Sequence, residues 1–166
     1  MRLTKFATAV ATTMAIGFAT LTSANAANIV QTAASTGKFN TLLAAAKAAG
    51  LAGTLGHTKG ITVFAPTDAA FAKLPKGTVK ELLKPKNRHR LAAILKYHVI
   101  PGRVLARDVP RKRTHVRTLK RGGDTTVTVR KRFGKVRVDN ARVINADIKT
   151  SNGIIHVVNR VLLPSS

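Results

Sequence analysis

Two hydrophobic spacings divide this chain near its middle. Up to about Lys96, apolar residues recur three and four positions apart, as in helices that show one face to a core. Asn28 stands where an N-cap belongs for a helix from Ile29 to about Ser35, with Thr36-Gly37 ending it. A second helix is predicted over Asn40 to Ala49, with Phe39, Leu42, Leu43 and Ala46 on one face and Gly50 at its stop; Leu51 to Leu55 adds a short further turn. Ile61 to Ala65 reads as a first strand, broken by Pro66. Thr67 then caps a helix beginning at Asp68, whose charge suits the positive end of the helix dipole. Thr78-Val-Lys-Glu81 has the spacing of a capping box for a helix through Leu83. Asn87 is placed to cap another helix to about Lys96, with Leu91, Ile94 and Leu95 as its apolar stripe.

From His98 onward the period becomes two. Strands are predicted at His98 to Ile100, Val116 to Leu119, Thr125 to Arg130, Lys135 to Val138, Ala141 to Ile144 and Ile154 to Val158. Gly122-Gly123-Asp124 and Phe133-Gly134 supply turns. The last strand differs from the others. Asn152-Gly153 is a turn dipeptide that tolerates positive φ, and the β-branched run after it has the pattern of a strand covered on both faces. Such a strand must lie between earlier ones, so the fold closes only when the final residues arrive. Helices first and strands afterwards point to an α+β domain rather than alternating βαβ units.

Three stretches carry a more specific signal: Thr62-Val-Phe-Ala-Pro-Thr-Asp-Ala-Ala-Phe71, Tyr97-His-Val-Ile-Pro-Gly102 and the closing Asn152-Gly-Ile-Ile-His-Val-Val-Asn-Arg-Val-Leu-Leu-Pro164. In order and spacing they resemble the three signature boxes of the fasciclin-like (FAS1) domain, and the likeness runs from Asn28 to Pro164. The resemblance implies a twisted β-sandwich or wedge of about seven strands, edged by short α-helices mostly from the N-terminal half. It also marks Thr67, Asp68, Tyr97, His98, Asn152, Gly153 and His156 as framework residues. In the family, the Asp and His matching Asp68 and His98 are usually read as hydrogen-bonded to each other. An acid/base pair is the alternative, and the structural role is favoured because each sits in an apolar box where a polar group needs a partner. His156 shares a side with Ile154 and Val158 on the two-residue period, a core position.

Composition fits one domain, 27–166, in a chain of 166 residues that is 45% hydrophobic. Residues 1–26 are set apart as a secretory signal peptide, because Arg2 and Lys5 precede an uncharged Ala/Thr/Phe-rich run ending at Ala24-Asn25-Ala26. With cleavage after Ala26, no later stretch is apolar and long enough to span a bilayer, and a secreted or periplasmic location is expected. The chain has no cysteine, so export brings no disulfides.

No His-Glu-x-x-His, nucleophile elbow, phosphate loop or dinucleotide fingerprint occurs, and six acids are too scattered to pair readily. Neither an enzyme, a metal site nor a cofactor is therefore expected.

Charge changes the picture most. Lys and Arg number 29 against six acids, a net +23; without Arg2 and Lys5 the balance is 27 against six, or +21. From Lys84 to Arg142 there are 19 basic residues and three acids, and arginine outnumbers lysine. In the hairpin, Val127 and Val129 should share a face with Val136 and Val138, sending Thr128, Arg130, Lys135 and Arg137 outward and leaving Lys131, Arg132 and Phe133 at the tip. Like charges opposite one another weaken pairing unless they are well solvated or meet a polyanion. Further clusters stand at Arg111-Lys112-Arg113 and Lys120-Arg121. Arginine forks suit carboxylate, sulfate and phosphate. A solvated face that keeps the protein soluble is the simpler alternative. Anionic polysaccharide, lipid headgroup phosphate or another anionic cell-envelope or matrix polymer is the favoured partner. Cytoplasmic nucleic acid is disfavoured by export and by the scarcity of exposed aromatics for stacking.

Asp147-Ile148 stands where animal adhesion domains of the resembling family carry an Asp-Ile pair assigned to integrin contact, which would make a protein adhesion partner. A structural role, Ile148 filling the core and Asp147 capping the turn before Asn152, is favoured. Some relatives carry carotenoids in an apolar groove. The helices over Asn40 to Leu55 would line one here, against the simpler alternative that they complete the core.

Overall fold

The computed structural model describes residues 26–164, so all but the last residue of the predicted leader lies outside the described residues. Six short α-helices, five of them in the first half, precede residue 98: α1 (Ile29–Thr36), α2 (Asn40–Ala48), α3 (Ala52–His57), α4 (Asp68–Ala72), α5 (Thr78–Leu82) and α6 (Arg88–Tyr97). A 3-10 turn at Pro85–Asn87 leads into the last. The strands are β1 (Ile61–Pro66), β2 (Val99–Pro101), β3 (Thr114–Arg117), β4 (Thr126–Arg132), β5 (Lys135–Val138), β6 (Ala141–Lys149) and β7 (Gly153–Val158). They form one mixed sheet in the order β2-β1-β7-β6-β5-β4-β3. The ends of the sheet approach each other, where Leu119, just beyond β3, donates its N–H to Val99 O on β2 at 2.8 Å. The sheet is thus bent nearly into a barrel, the α+β wedge of seven strands and N-terminal helices that the sequence predicts.

Strand β7 lies between earlier strands, parallel to β1 and antiparallel to β6. Every residue of β1 and β7 is buried. Alternation sorts them between two cores. Ile61, Val63, Ala65, Ile155 and Val157 meet the helices, with Phe39, Leu42, Phe71 and Leu95 opposite. Phe64 and Val158 face the inside of the wedge, packing with Tyr97, Ile100, Val127, Val129, Val136 and Val138. A β-branched strand without polar alternation is stable only where both faces are covered this way.

Some local details differ from expectation. His98 ends α6 as its cap instead of opening the strand, and β3 begins at Thr114, two residues early. β6 runs on to Lys149 through register shifts between Val143 and Ile148, irregularities that period-two spacing does not encode. The Thr78–Glu81 capping box is not formed. Gly77, at φ 84°, is the N-cap, and Glu81 is instead ion-paired with Lys84. Asn87 precedes α6 but makes no cap; its Nδ2 donates to Glu81 O at 2.5 Å. Asn28 and Thr67 do cap: Asn28 Oδ1 accepts from Gln31 N at 2.9 Å and Thr67 Oγ1 from Ala70 N at 3.2 Å.

The Asn152-Gly153 pair also works differently from a simple turn. Neither residue has a positive φ. Gly153 is the first residue of β7, and a Cβ there would stand 2.1 Å from the Ile61 carbonyl oxygen, so the parallel strand can approach only a bare backbone. Asn152, 4% exposed, accepts from Ile29 N at 2.9 Å and donates Nδ2 to Leu55 O at 2.7 Å and Thr58 O at 2.9 Å. One amide thereby ties the start of α1 and the end of α3 to the closing strand.

Two substitutions test this closure. Gly153→Ala should cost at least about 3 kcal/mol, because the obstructing atom is backbone and β7 must shift away from β1. Asn152→Ala should cost about 3 kcal/mol by leaving buried carbonyls without donors. Urea unfolding of each variant against the parent measures both; a change below about 1 kcal/mol in either would show that the closure does not depend on that residue.

Candidate anion-binding groove

The β4–β5 hairpin has its valines inward. Val127, Val129, Val136 and Val138 are 0 to 5% exposed, which commits the intervening residues to the outer face. Register then decides which cations meet. Arg130 on β4 pairs directly with Arg137 on β5, and Arg137 pairs with Arg142 on β6. On the other side Thr114 of β3 pairs with Val129, which sets the preceding Arg113 beside Arg130. Four arginines therefore form a row across neighbouring strands, at the interstrand spacing of about 4.8 Å. Arg160, beyond β7, joins them around a groove of ≈ 850 Å³. Among the described residues, no ion pair involves any of the five.

The floor of this groove is polar and mixed in charge. Tyr97 Oη points to Thr126 O at 2.8 Å, Asp139 Oδ2 at 3.0 Å and Asp124 Oδ2 at 3.4 Å. Burial first, then the Asp139 and Asp124 charges, push the phenol well above its ordinary pKa, so it remains a donor. Asp139, at φ 48° in the β5–β6 turn, accepts from Thr128 N at 2.7 Å. The two carboxylates are thus tied to the framework and line the same groove as the arginines.

Of the ten basic residues picked from the sequence, the structure gathers only Arg113, Arg130 and Arg137 here. Arg111, Lys131 and Arg132 stand at the hairpin tip with Arg107. Lys120 folds back on its own loop, Nζ to Gly122 O at 2.6 Å and Asp124 O at 2.8 Å. Arg121 lies elsewhere, beside Leu51 and Leu95. Lys112 and Lys135 are exposed and outside the groove. Arg142 and Arg160 were not among the ten. Arg142 was recoverable from strand register, as the second residue after the β5–β6 turn; Arg160 follows β7 and has no periodic signal.

Asp68 and His98 do not bond each other. Asp68 reaches across to α2, where its carboxylate accepts from Thr41 N at 2.7 Å and Asn40 N at 3.3 Å. Burial pulls its pKa up, but those bonds outweigh it and hold the carboxyl below its usual range. His98, 2% exposed, has its Nδ1 2.8 Å from Ile94 O and accepts at Nε2 from Leu162 N at 2.8 Å, which fixes a neutral ring protonated on Nδ1. Each already serves backbone groups of its own neighbourhood, leaving neither free for the other. His156 is neutral by the same logic, donating Nε2–H to Val104 O at 2.7 Å and accepting from Asp147 N at 3.2 Å. Its ring stacks on Phe64 at 5.7 Å. Asp147 does not cap the turn before Asn152. At φ 60°, it holds the loop after β2, accepting from Ala106 N at 2.7 Å, while Ile148 packs on the helical core.

These features define a class of protein: an α+β wedge, sealed by its last strand, with a cationic groove on its outer face. Residues 37–164 match the family model for the fasciclin domain. The chain belongs to that family. It is 46% identical to protein sll1483 of Synechocystis over 84% of this chain and 75% of that one. It is 39% identical to the transforming growth factor-beta-induced protein ig-h3 of Sus scrofa over 76% of this chain, but only 18% of that longer protein. Among solved structures, the FAS1 domain pair of the insect cell adhesion molecule fasciclin I superposes with a TM-score of 0.72 at 19% identity, over 82% of this chain and 51% of that one. No helix among the described residues is long and apolar enough to cross a membrane.

The neutral histidines make stability depend on pH with a definite sign. Burial lowers the His98 pKa from 6.5 to about 4, and lowers that of His156 too. The unfolded chain then binds protons that the folded one refuses, so stability should be full above pH 6.5 and fall as pH drops toward 4. The loss from His98 is on the order of 3 kcal/mol at the lower limit. Asp68 acts separately, below the ordinary carboxyl value of 3.8. Denaturation at pH 7 and pH 4.5 measures the slope. His98→Gln should flatten it while lowering stability at pH 7; an unchanged slope would exclude His98 as its source.

Proposed function

We propose that this chain is an exported adhesion or matrix-attachment protein whose arginine row holds an anionic polymer of the cell envelope or matrix, acidic polysaccharide foremost. The row Arg113–Arg130–Arg137–Arg142 carries this proposal. Like charges set in direct register oppose strand pairing, and a ligand bearing a negative group on successive monomers removes that cost. Carboxylate or sulfate groups would lie against the guanidinium forks. The groove's Asn140 and Asn159 offer side-chain amides suited to sugar hydroxyls. Family membership supports the adhesion part: one relative is an insect cell adhesion molecule, and another, 37% identical over 62% of this chain, is the cell surface glycolipoprotein MPB83 of Mycobacterium bovis. Export rests on the predicted leader.

Carotenoid carriage on α2 and α3 has no comparable support. The space beneath those helices is ≈ 30 Å³, whereas a small-molecule pocket takes about 300 Å³ or more. The Asp147–Ile148 contact with a protein partner is also less favoured, since the Asp147 carboxylate and the Ile148 side chain both serve the framework.

Charge reversal separates a site from net charge. On an alginate-coated surface, Arg130→Glu with Arg137→Glu should weaken binding about tenfold or more at low ionic strength and flatten its salt dependence. Lys112→Glu with Lys135→Glu changes the net charge equally outside the groove and should cost much less. Equal losses for the two pairs would mean that overall charge, not the row, does the binding.

A further inference from the structure

At the far end of the hairpin, Phe133 is 87% exposed, well above Leu119, Ile144 and Leu163 among the exposed apolar residues described. It stands in the turn between β4 and β5, where Arg132 pairs with Lys135 and leaves Phe133-Gly134 as a two-residue connection. Both residues have positive φ, 50° and 73°. That is the form of turn in which Asn or Asp is favoured first, and a large aromatic side chain is strained there. Neither turn geometry nor burial accounts for a phenylalanine at the apex.

Its surroundings are cationic. Arg107, Arg111, Lys131 and Arg132 share its surface, and the Arg132 guanidinium lies over the ring, 5.0 Å from its centroid. Lys131 N donates to Pro110 O at 2.9 Å, which fixes the loop carrying Arg107 and Arg111 against the hairpin. Asp108, the acid on this surface, is engaged: it accepts from Leu105 N at 3.1 Å and lies 3.7 Å from Arg107 Nε. The result is one apolar point set in a ring of positive charge.

We infer that this tip docks on an anionic lipid bilayer, Phe133 entering the boundary between headgroups and acyl chains while Arg107, Arg111, Lys131 and Arg132 lie against headgroup phosphates. An aromatic with flanking cations has the two attractions that interfacial binding combines, apolar burial and charge. A saccharide would need an open ring face in a concave site, but this ring is at an apex and one face is covered by Arg132. The inference is independent of the groove.

The chain contains no tryptophan, so Phe133→Trp supplies a lone reporter at the apex. With phosphatidylcholine/phosphatidylglycerol vesicles its emission should shift to the blue and be quenched by brominated lipid; with pure phosphatidylcholine both effects should be weaker. Phe133→Asn should raise Tm, because Asn suits the turn, yet bind the mixed vesicles at least about tenfold less in flotation. Replacing Arg111 or Lys131 with Gln should cost about fivefold each. Adding Arg130→Glu and Arg137→Glu to F133W should leave the blue shift in place at saturating vesicle, so a failed groove and a failed tip are told apart. Emission unmoved by vesicles, Phe133→Asn binding as tightly as the parent, or a shift produced by soluble alginate and not by vesicles would each overturn the inference.

Discussion

Everything in this fold waits on a parallel contact made with no side chain between the partners. Gly153 approaches Ile61 so closely that a Cβ would stand 2.1 Å from the carbonyl oxygen, and one residue earlier Asn152 supplies hydrogen bonds to α1 and α3. These two residues act on different quantities. The glycine permits β7 to reach β1, while the asparagine removes the desolvation penalty of carbonyls that this approach buries. Because β7 contributes to both cores, the helical layer and the hairpin layer have no common wall until it is in place. Parallel pairing between residues so far apart in sequence closes a long loop and gains contacts only late, which makes cooperative folding of the whole wedge the expected behaviour.

The same closure explains how so basic a chain can hold its strands in register. A row of arginines in direct pairs would favour slippage if register were set by the outer face alone. It is set by the inner one: a shift of one residue would turn Val127, Val129, Val136 and Val138 outward together. Burial of four valines outweighs repulsion between solvated guanidinium groups, because exposed charges interact through water and salt. The outer face is therefore free to carry charge that the core has already made affordable.

What could be read in advance follows the same division. Where a spacing has one structural solution, as in the inward valines, the caps at Asn28 and Thr67 or the doubly buried last strand, sequence and structure agree. Where a short pattern has several, the surroundings chose. Thr78-x-x-Glu81 lost its box because Gly77 starts the helix one residue earlier and Lys84 holds the glutamate. Asn152-Gly153 suggested a positive-φ turn, and the glycine is needed instead for proximity to a strand 92 positions away in the chain, a requirement no local window contains. The groove was half legible. Arg130 and Arg137 follow from hairpin alternation, but bringing Arg142 and Arg113 into line needs the pairing of four strands, and the bulged course of β6 is not encoded in period-two spacing.

The distribution of charge between inside and outside completes this physical account. The two fully enclosed histidines are held neutral by backbone partners on both ring nitrogens, and the carboxylates at the groove floor are tied to Tyr97 and the Thr128 amide. The buried histidines therefore take no partner from the excess cations. Those cations are concentrated on one hairpin and its neighbours, arranged as a concave row on the face and a convex ring at the tip. A net +23 needed only for solubility would be served by scattered lysines, whereas these arginines stand in line across strands whose register is fixed from behind. Cations held at fixed spacing lose less freedom on meeting any repeating array of charge than cations on a flexible segment would. The apolar interior thus does more than stabilise the domain: through strand register it sets the distances between the charged groups on its outer face.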